Sequence, residues 1–141
     1  MNKVHVDTDF AGDIDDLCAV AMLLKYPDTE IVGITTVSDD KGKRAGYVNE
    51  FLKIADVRSI PVKAGADVAD GYYKMPLGLP VEKDYWPNPV EASQNSVDET
   101  LELLKSSIDS GAIIIGIGPF TNLFLLEQKY PGILKKSKLF L

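Results

Sequence analysis

The chain has 141 residues, of which 45% are hydrophobic and 26% are charged, with one cysteine and a net charge of −6. This composition predicts one globular domain able to bury about two thirds of its unfolded surface, and it excludes a disordered or disulfide-stapled chain. The negative charge excludes a duplex nucleic-acid binder, and the lack of a signal-like segment or of about 18 continuous apolar residues predicts a cytoplasmic protein with no membrane partner.

Helix-like and strand-like segments alternate along the first half of the chain. Apolar residues that recur every three or four positions predict the helices, and continuous β-branched runs predict buried strands. The only cysteine, Cys18, falls in the first helix, where we expect a small core residue. The predicted elements are a strand Val4 to Asp7, a helix Asp15 to Lys25, a strand Ile31 to Val37, a helix from about Gly42 to Ala55 and a strand Ile60 to Lys63.

The second half of the chain continues the same alternation. Strands that alternate with helices of this length form right-handed crossovers, which give a mainly parallel sheet covered on both faces. The predicted fold class is therefore α/β. The last strand is either an edge strand or the start of a sheet that continues in a longer protein. The elements are a helix through Val97, Leu101, Leu104 and Ile108, a strand Ala112 to Ile117, a helix Thr121 to Gln128 and a strand from Lys138 to Leu141.

Residues 66–95 form a long connection between these halves. Loops of this length in a compact domain are often lids or binding loops, although aromatic side chains also pack a loop against its own domain. Both interpretations stay open. The connection carries four prolines and four aromatic residues: Pro76, Pro80, Pro87 and Pro89 with Tyr72, Tyr73, Tyr85 and Trp86.

Residues 7–16 contain five aspartates and no lysine or arginine, so they carry nearly all of the net charge. They lie at the carboxyl end of the first strand, where open parallel sheets bind ligands. Clustered carboxylates repel one another unless a cation compensates them, and oxygen ligands in an irregular site favour Ca²⁺ over Mg²⁺ or Zn²⁺. Helix capping explains Asp13 but leaves Asp7 and Asp9 unexplained. The segment therefore predicts a calcium site.

A second motif, Gly116-Ile117-Gly118-Pro119-Phe120-Thr121-Asn122, follows another buried strand and leads into a helix. Its glycines permit unusual backbone angles and its proline fixes the turn. Such a turn can direct a backbone carbonyl at a metal, but by itself the motif is weak, since a Gly-Pro turn before a helix is more often only a connection.

Together the two motifs resemble the inosine-uridine preferring nucleoside hydrolase family, whose first strand ends in Asp-x-Asp and then Asp-Asp, and whose later strand ends in Gly-Pro-x-Thr-Asn. Residues 34–37 and 60–65 are also similar to family segments, so the resemblance spans essentially the whole chain. It implies a Rossmann-like open sheet and calcium-dependent hydrolysis of ribonucleosides to ribose and free base. It also implies a homodimer or homotetramer.

The resemblance implies a role for several metal-site residues. Asp9 matches the family's general base and a calcium ligand, and Asp16 matches its bidentate calcium ligand. Asp7 matches the first aspartate of the signature, which we also expect to bind the metal. Thr121 would contribute its backbone carbonyl.

The resemblance also implies two substrate-binding residues. Asp15 matches the aspartate that binds a ribose hydroxyl, and Asp40 falls near a second ribose-binding position, with Asp39 as the alternative alignment. The chain departs from the shortest family form because Phe10 to Ile14 separate the second and third aspartates, where that form has Pro-Gly and one apolar residue. Asp13 therefore receives no role.

Family members continue for roughly as long again, and that second half supplies a further calcium-binding aspartate, ribose-binding Asn and Glu residues, and often a histidine near the leaving base. We therefore expect residues 1–141 to be the N-terminal part of a single domain, with little or no hydrolase activity alone. His5 lies within the first strand and is not assigned the role of that histidine.

Two alternatives compete with this interpretation. A haloacid-dehalogenase-like, Mg²⁺-dependent phosphatase would use Asp7-Thr8-Asp9, but Ala11 stands where a Thr or Val is expected and the Asp15-Asp16 pair has no place in that scheme. The other alternative is a non-catalytic remnant that binds a metal or a sugar. A longer gene product would discriminate against the remnant.

Overall fold

A computed structural model of the chain describes residues 1–67 and 82–141. Within these two ranges the strands are β1 (Asn2–Thr8), β2 (Thr29–Thr36), β3 (Val62–Ala64), β4 (Ile113–Gly116) and β5 (Lys138–Phe140). The α-helices there are α1 (Asp15–Lys25), α2 (Lys43–Ile54), α3 (Glu82–Tyr85), α4 (Val97–Asp109) and α5 (Thr121–Lys129), with short 3-10 helices at Asp40–Gly42 and Leu134–Lys136. None of the helices in these ranges is long and apolar enough to cross a membrane.

The strands form a parallel sheet in the order β3-β2-β1-β4-β5, with β1 at its centre. From β1 the chain builds outward through β2 to β3, and it then returns to place β4 on the other side of β1. The direction of the strand order therefore reverses between β1 and β4. Such a reversal opens a crevice at the carboxyl ends of the strands, which is where open α/β sheets bind ligands.

Helices cover both faces of the sheet, as predicted. In β1, Val4 and Val6 face a hydrophobic cluster shared with α1 and α2, while the alternate residues His5 and Asp7 face the side of α4 and α5. The first cluster includes Val6, Phe10, Val20, Ile34, Val48 and Leu52. The second cluster includes Leu101, Leu104, Ile108, Ile114, Leu123 and Leu126. The predicted α/β class is confirmed.

The prediction for β3 is shifted relative to the structure. The predicted strand Ile60 to Lys63 becomes Val62–Ala64, and its pairing with β2 begins at Val62 opposite Ile34. Pro61 accepts a hydrogen bond from the Ile34 amide at 2.9 Å, but it has no amide hydrogen to donate to the neighbouring strand. Regular pairing therefore starts only after the proline.

The prediction that Cys18 is a core residue is wrong, because Cys18 is exposed. It lies four residues after Ile14 and four before Met22, and these two side chains are 73% and 67% exposed. The face of α1 that reaches the core carries Val20 and Leu17 instead. Cys18 therefore belongs to the outward-facing stripe of an amphipathic helix.

The connection at 66–95 is described only in part, and Tyr72, Tyr73, Pro76 and Pro80 lie outside the described residues. Within the described part, the Trp86 ring stacks on Tyr47 with 5.3 Å between ring centroids, and Tyr47 itself is buried. Tyr85 is 72% exposed. Trp86 therefore packs the end of this connection against the domain, as in the interpretation that the aromatic side chains pack the loop against its own domain.

Candidate functional site

The segments that follow β2 and β4 both contact the carboxyl end of β1. The amide of Val37 donates to the Thr8 carbonyl and the amide of Ile117 donates to the Asp7 carbonyl, each at 2.9 Å. A Cβ on Gly118 would lie 2.7 Å from the Asp9 amide nitrogen and 3.0 Å from Asp9 Oδ1. Because only glycine fits there, the Gly-Pro turn packs directly on Asp9, and the two sequence motifs share one site.

Three aspartates from the loop after β1 bring carboxylate oxygens together. Asp13, Asp15 and Asp16 each offer one oxygen, and these oxygens lie within 4.8 Å of one another. Asp16 is buried, whereas Asp13 and Asp15 are exposed. Asp9 is not part of this trio, but its charge raises the pKa of both Asp13 and Asp16. The structure therefore includes Asp13 in the cluster, although the resemblance gave it no role.

Asp7 lies in β1, is not part of this trio and is almost completely buried. Its Oδ1 accepts hydrogen bonds from Thr35 Oγ1 at 2.6 Å and from Asn122 Nδ2 at 2.8 Å, while its Oδ2 accepts none from the described residues. Burial raises the pKa of Asp7 to about 6 despite these two hydrogen bonds, and the charge of Asp9 adds to the rise. Within the described ranges, Oδ2 is therefore a carboxylate oxygen without a hydrogen-bond donor.

Asp16 is in a similar electrostatic position at the start of α1. Thr8 Oγ1 donates to its Oδ1 at 2.5 Å. Burial raises the pKa of Asp16 to about 6, with further repulsion from Asp9, Asp15 and Asp13. A hydrogen bond between the Asp13 and Asp15 carboxyl groups raises the pKa of Asp13 and lowers that of Asp15. Without a cation, these carboxylates share protons instead of ionising independently.

The residues of this cluster fit a hard divalent cation. Among the described residues, no lysine or arginine forms an ion pair with any of the five aspartates of residues 7–16. The nearby Arg44 lowers the pKa of Asp13, but it donates its hydrogen bonds to backbone carbonyls. Oxygen donors with uncompensated negative charge are the ligands that Ca²⁺ and Mg²⁺ prefer.

A buried network of hydrogen-bonded polar side chains fixes the position of Asp7. The sequence interpretation missed this network. Thr35 has one hydroxyl hydrogen and donates it to Asp7, so His5 Nε2 donates to Thr35 Oγ1 at 3.0 Å. Ser107 then donates to His5 Nδ1, at 2.8 Å. Burial lowers the pKa of His5 to about 3, so the ring is neutral and its tautomer is fixed. His5 therefore orients Asp7 through Thr35.

Asn122 joins the same network from the Gly-Pro turn. Its Nδ2 donates to Asp7 Oδ1 and to the Thr36 carbonyl, both at 2.8 Å, and its Oδ1 accepts from the Ala66 amide at 2.9 Å. One amide side chain thus links β1, β2 and the segment after β3. A Cβ on Gly65 would lie 2.4 Å from Asn122 and 2.3 Å from the Thr36 carbonyl oxygen, so glycine is needed there.

A sequence model of the inosine-uridine preferring nucleoside hydrolases matches residues 4–141. The chain belongs to this nucleoside hydrolase family. "Uridine nucleosidase 1" of Arabidopsis thaliana is 29% identical over 148 residues, which cover 96% of this chain and 43% of the relative. "Probable uridine nucleosidase 1" of Oryza sativa subsp. japonica is 27% identical over 154 residues, which cover 97% and 44%. The chain spans less than half the length of these nucleosidases.

Solved nucleoside hydrolases share the fold of the chain. A plant nucleoside hydrolase superposes with a TM-score of 0.76 at 23% identity, over 96% of this chain and 45% of its own. An inosine-uridine preferring nucleoside hydrolase from Bacillus anthracis gives a TM-score of 0.69 at 16% identity, over 99% and 49%. At these identities the likeness shows the fold alone. Membership of the nucleoside hydrolase family, shown by the match over 4–141, removes the support for a haloacid-dehalogenase-like phosphatase.

Two further residues with roles implied by the nucleoside hydrolase resemblance follow the ends of β4 and β2 in the chain. Thr121 is the first residue of α5 and is buried at the end of β4, next to β1. Asp40 is the first residue of a 3-10 helix after β2, and its side chain lies outside the described part. The metal-binding role of the Thr121 carbonyl and the ribose-binding role of Asp40 stay predictions.

Asp39, the alternative to Asp40, has a structural function. Its Oδ1 accepts from the Arg44 amide at 2.7 Å, and its Oδ2 accepts from the Ala45 amide at 2.9 Å and from Thr36 Oγ1 at 2.6 Å. Burial raises the pKa of Asp39, although these three donors and the Arg44 charge lower it. Because both oxygens serve the first turn of α2, Asp39 acts as a helix cap.

Proposed function

We propose that the complete protein hydrolyses the N-glycosidic bond of ribonucleosides to ribose and free base, with Ca²⁺ held at the carboxyl end of β1. Two observations carry this proposal in a chain of the nucleoside hydrolase family: Asp13, Asp15 and Asp16 bring carboxylate oxygens within 4.8 Å of one another, and Gly118 of the Gly-Pro turn packs against Asp9. Relatives named as uridine nucleosidases make uridine the first substrate to test.

Four residues would hold the cation in this proposal: the carboxylates of Asp7, Asp9 and Asp16 and the backbone carbonyl of Thr121. Support comes from the Oδ2 atom of Asp7, which has no donor among the described residues, and from the raised pKa of Asp16. Calcium, when bound, supplies positive charge that orients water and the ribose hydroxyls.

Asp9 acts as the general base in the proposed reaction. Its carboxylate accepts no hydrogen bond from the described residues, so it is free to take a proton from the water that attacks ribose C1′. The C1′–N bond breaks through an oxocarbenium-like transition state, and its electron pair leaves with the base. Asp15 accepts a hydrogen bond from a ribose hydroxyl, and Asp40 binds ribose from the β2 side. Attack on the face opposite the base inverts the anomeric carbon.

Calcium binding is testable without measuring catalysis. We expect Ca²⁺ to raise the thermal unfolding temperature of the complete protein, with about 2.7 kcal/mol of stabilisation at roughly 100-fold excess over Kd. Asp16→Asn should weaken calcium binding at least about tenfold, because it removes a charged ligand while keeping the Thr8 hydrogen bond. Thermal unfolding with and without CaCl₂ measures the first effect, and calorimetric titration with CaCl₂ measures the second.

The matched control for this titration is Asp28→Asn, which changes an exposed aspartate outside the cluster and should bind calcium like the wild type. Stronger stabilisation by MgCl₂ or ZnCl₂ than by CaCl₂ would show that the cation is not calcium. No effect of any of these cations would contradict the metal site itself.

We also propose, on the family resemblance, that the complete protein assembles as a homodimer or homotetramer. Light scattering on the purified protein distinguishes both from a monomer.

A further inference from the structure

Arg44 is a buried cation, and within residues 1–67 and 82–141 its guanidinium donates hydrogen bonds only to backbone carbonyls. It is 2% exposed. Its Nε donates to the Ser38 carbonyl at 2.9 Å, and its Nη1 donates to the carbonyls of Phe10, at 2.8 Å, and Asp9. Burying a charge is costly unless it is well hydrogen-bonded, so these three contacts are needed to keep the guanidinium buried. It ties the loop after β1 to the loop after β2.

These loops need such support because their backbones are strained. Ala11 has a φ of 75° and Ser38 a φ of 51°, both in the left-handed region that residues other than glycine rarely adopt. No proline restricts residues 9–14. The Phe10 ring is buried and lies 5.8 Å from the Phe51 ring, which holds the loop on the side of the core. Arg44 holds the carbonyl groups on the other side.

The position of Arg44 is itself fixed by the end of β2. Asp39 accepts the amide hydrogen of Arg44 at 2.7 Å and the hydroxyl hydrogen of Thr36 at 2.6 Å. The Asp39 side chain therefore connects the start of α2 to the end of β2. A continuous series of hydrogen bonds runs from β2 through Asp39 and Arg44 to the carbonyl of Asp9.

The carboxylate of Asp9 depends on this backbone support. Among the described residues, no side chain or amide donates a hydrogen bond to it, and Gly118 packs against the Asp9 amide nitrogen and Oδ1. Its direction is therefore set by the backbone of Asp9 and by the space that Gly118 leaves. A shift of the Asp9 carbonyl would turn the carboxylate as well.

We propose that Arg44 is a positioning residue that aims the Asp9 carboxylate at the reacting water, which rests on the proposed function of Asp9 as general base. Arg44 does not touch the substrate. Its planar guanidinium reaches three carbonyls at once, and a lysine ammonium on a flexible stem cannot reproduce that geometry. Small misplacement of a reacting group lowers the rate by up to about 100-fold.

A double-mutant cycle in the complete protein tests this proposal. Uridine hydrolysis is measured at saturating CaCl₂ for the wild type, Arg44→Lys, Asp9→Asn and the double variant. We expect Arg44→Lys to lower kcat by about 10- to 100-fold with a change in KM below about threefold. In the Asp9→Asn background the same change should have little further effect, because the base it positions is gone.

A separate variant controls for loss of stability. Leu52→Ala creates a cavity in the same helix, eight residues after Arg44, and should lower the unfolding temperature without lowering kcat at assay temperature. If Leu52→Ala with an equal loss of stability lowers kcat as much as Arg44→Lys, the effect is merely structural. Should Arg44→Lys not fold, Arg44→Met replaces it in the cycle, since it keeps the length of the apolar stem.

The outcomes separate this proposal from the proposed function. One outcome is that Asp9→Asn alone lowers kcat strongly and that the losses of kcat from the two substitutions multiply in the double variant. That outcome overturns the role of Arg44 and leaves Asp9 as the base. Near-normal kcat in Asp9→Asn overturns the proposed base itself. Non-additive losses with wild-type KM support both.

Discussion

Asp9→Asn should lower kcat for uridine or inosine hydrolysis by about 10²- to 10⁴-fold in the complete protein, which is the range for loss of a general base. Asparagine is nearly isosteric, so Gly118 can still pack against residue 9, but the amide accepts no proton from water. The variant also loses a charged metal ligand. Steady-state ribose release at saturating calcium separates loss of the base from loss of the metal.

Asp28→Asn serves again as the control and should keep wild-type turnover. Near-normal turnover of Asp9→Asn would place the base elsewhere. A wild-type protein that releases no ribose from any nucleoside would instead support the non-catalytic remnant.

Asp7→Asn should stabilise the metal-free protein at pH 8, with a gain of about 3 kcal/mol in the free energy of unfolding. Burial raises the pKa of Asp7 from 3.8 to about 6, so the folded wild type holds this proton more tightly than the unfolded chain. Its stability therefore falls as pH rises from about 4 through about 6 and stays low above that window. Asparagine has no such cost and keeps the acceptor oxygen for Thr35 and Asn122.

Urea unfolding in the presence of a chelator, from pH 4 to pH 8, measures this difference. The gain should be largest at pH 8 and small near pH 4, where the wild-type carboxyl is protonated. His5 acts in the opposite direction, because its pKa is lowered to about 3 and its contribution is lost as pH falls below about 6.5. Subtracting wild type from variant at each pH removes that contribution.

Two further results would test the reason given for this gain. Calcium should stabilise the wild type far more than Asp7→Asn, because the variant lacks a charged ligand. Equal destabilisation of Asp7→Asn at every pH would show that the hydrogen bonds of Asp7, not its buried charge, dominate its energetics.

The sequence predicts the fold well because local patterns determine most of it. The bounds of α1 match the prediction, since its apolar spacing and Pro27 define both ends. Pairing and side-chain contacts are less local. The shift of β3 depends on which residue of β2 faces Pro61, and the exposure of Cys18 depends on which stripe of α1 meets the sheet. Neither contact partner is visible in a single segment.

The candidate site was predicted through its charges, while its supporting residues were not. Five aspartates in ten residues are a local signal, whereas His5, Arg44 and Asn122 act through partners more than 25 residues away in the chain. The sequence pattern does contain signals for His5 and Arg44. His5 alternates with Val4 and Val6 and so shares a face with Asp7. Arg44 stands four residues before Val48 on the core face of α2, where a cation requires partners.

The hydrogen bond between Asn122 and Asp7 joins residues 115 positions apart. Both are needed at the crevice, so the site cannot form within a local segment and requires closure of a very long loop. Contacts of this separation slow folding and form after local helices. In stopped-flow refolding of the complete protein, high calcium affinity should therefore appear only in the last phase, after most helical signal has returned. A calcium-sensitive signal would then report when β4 has docked beside β1.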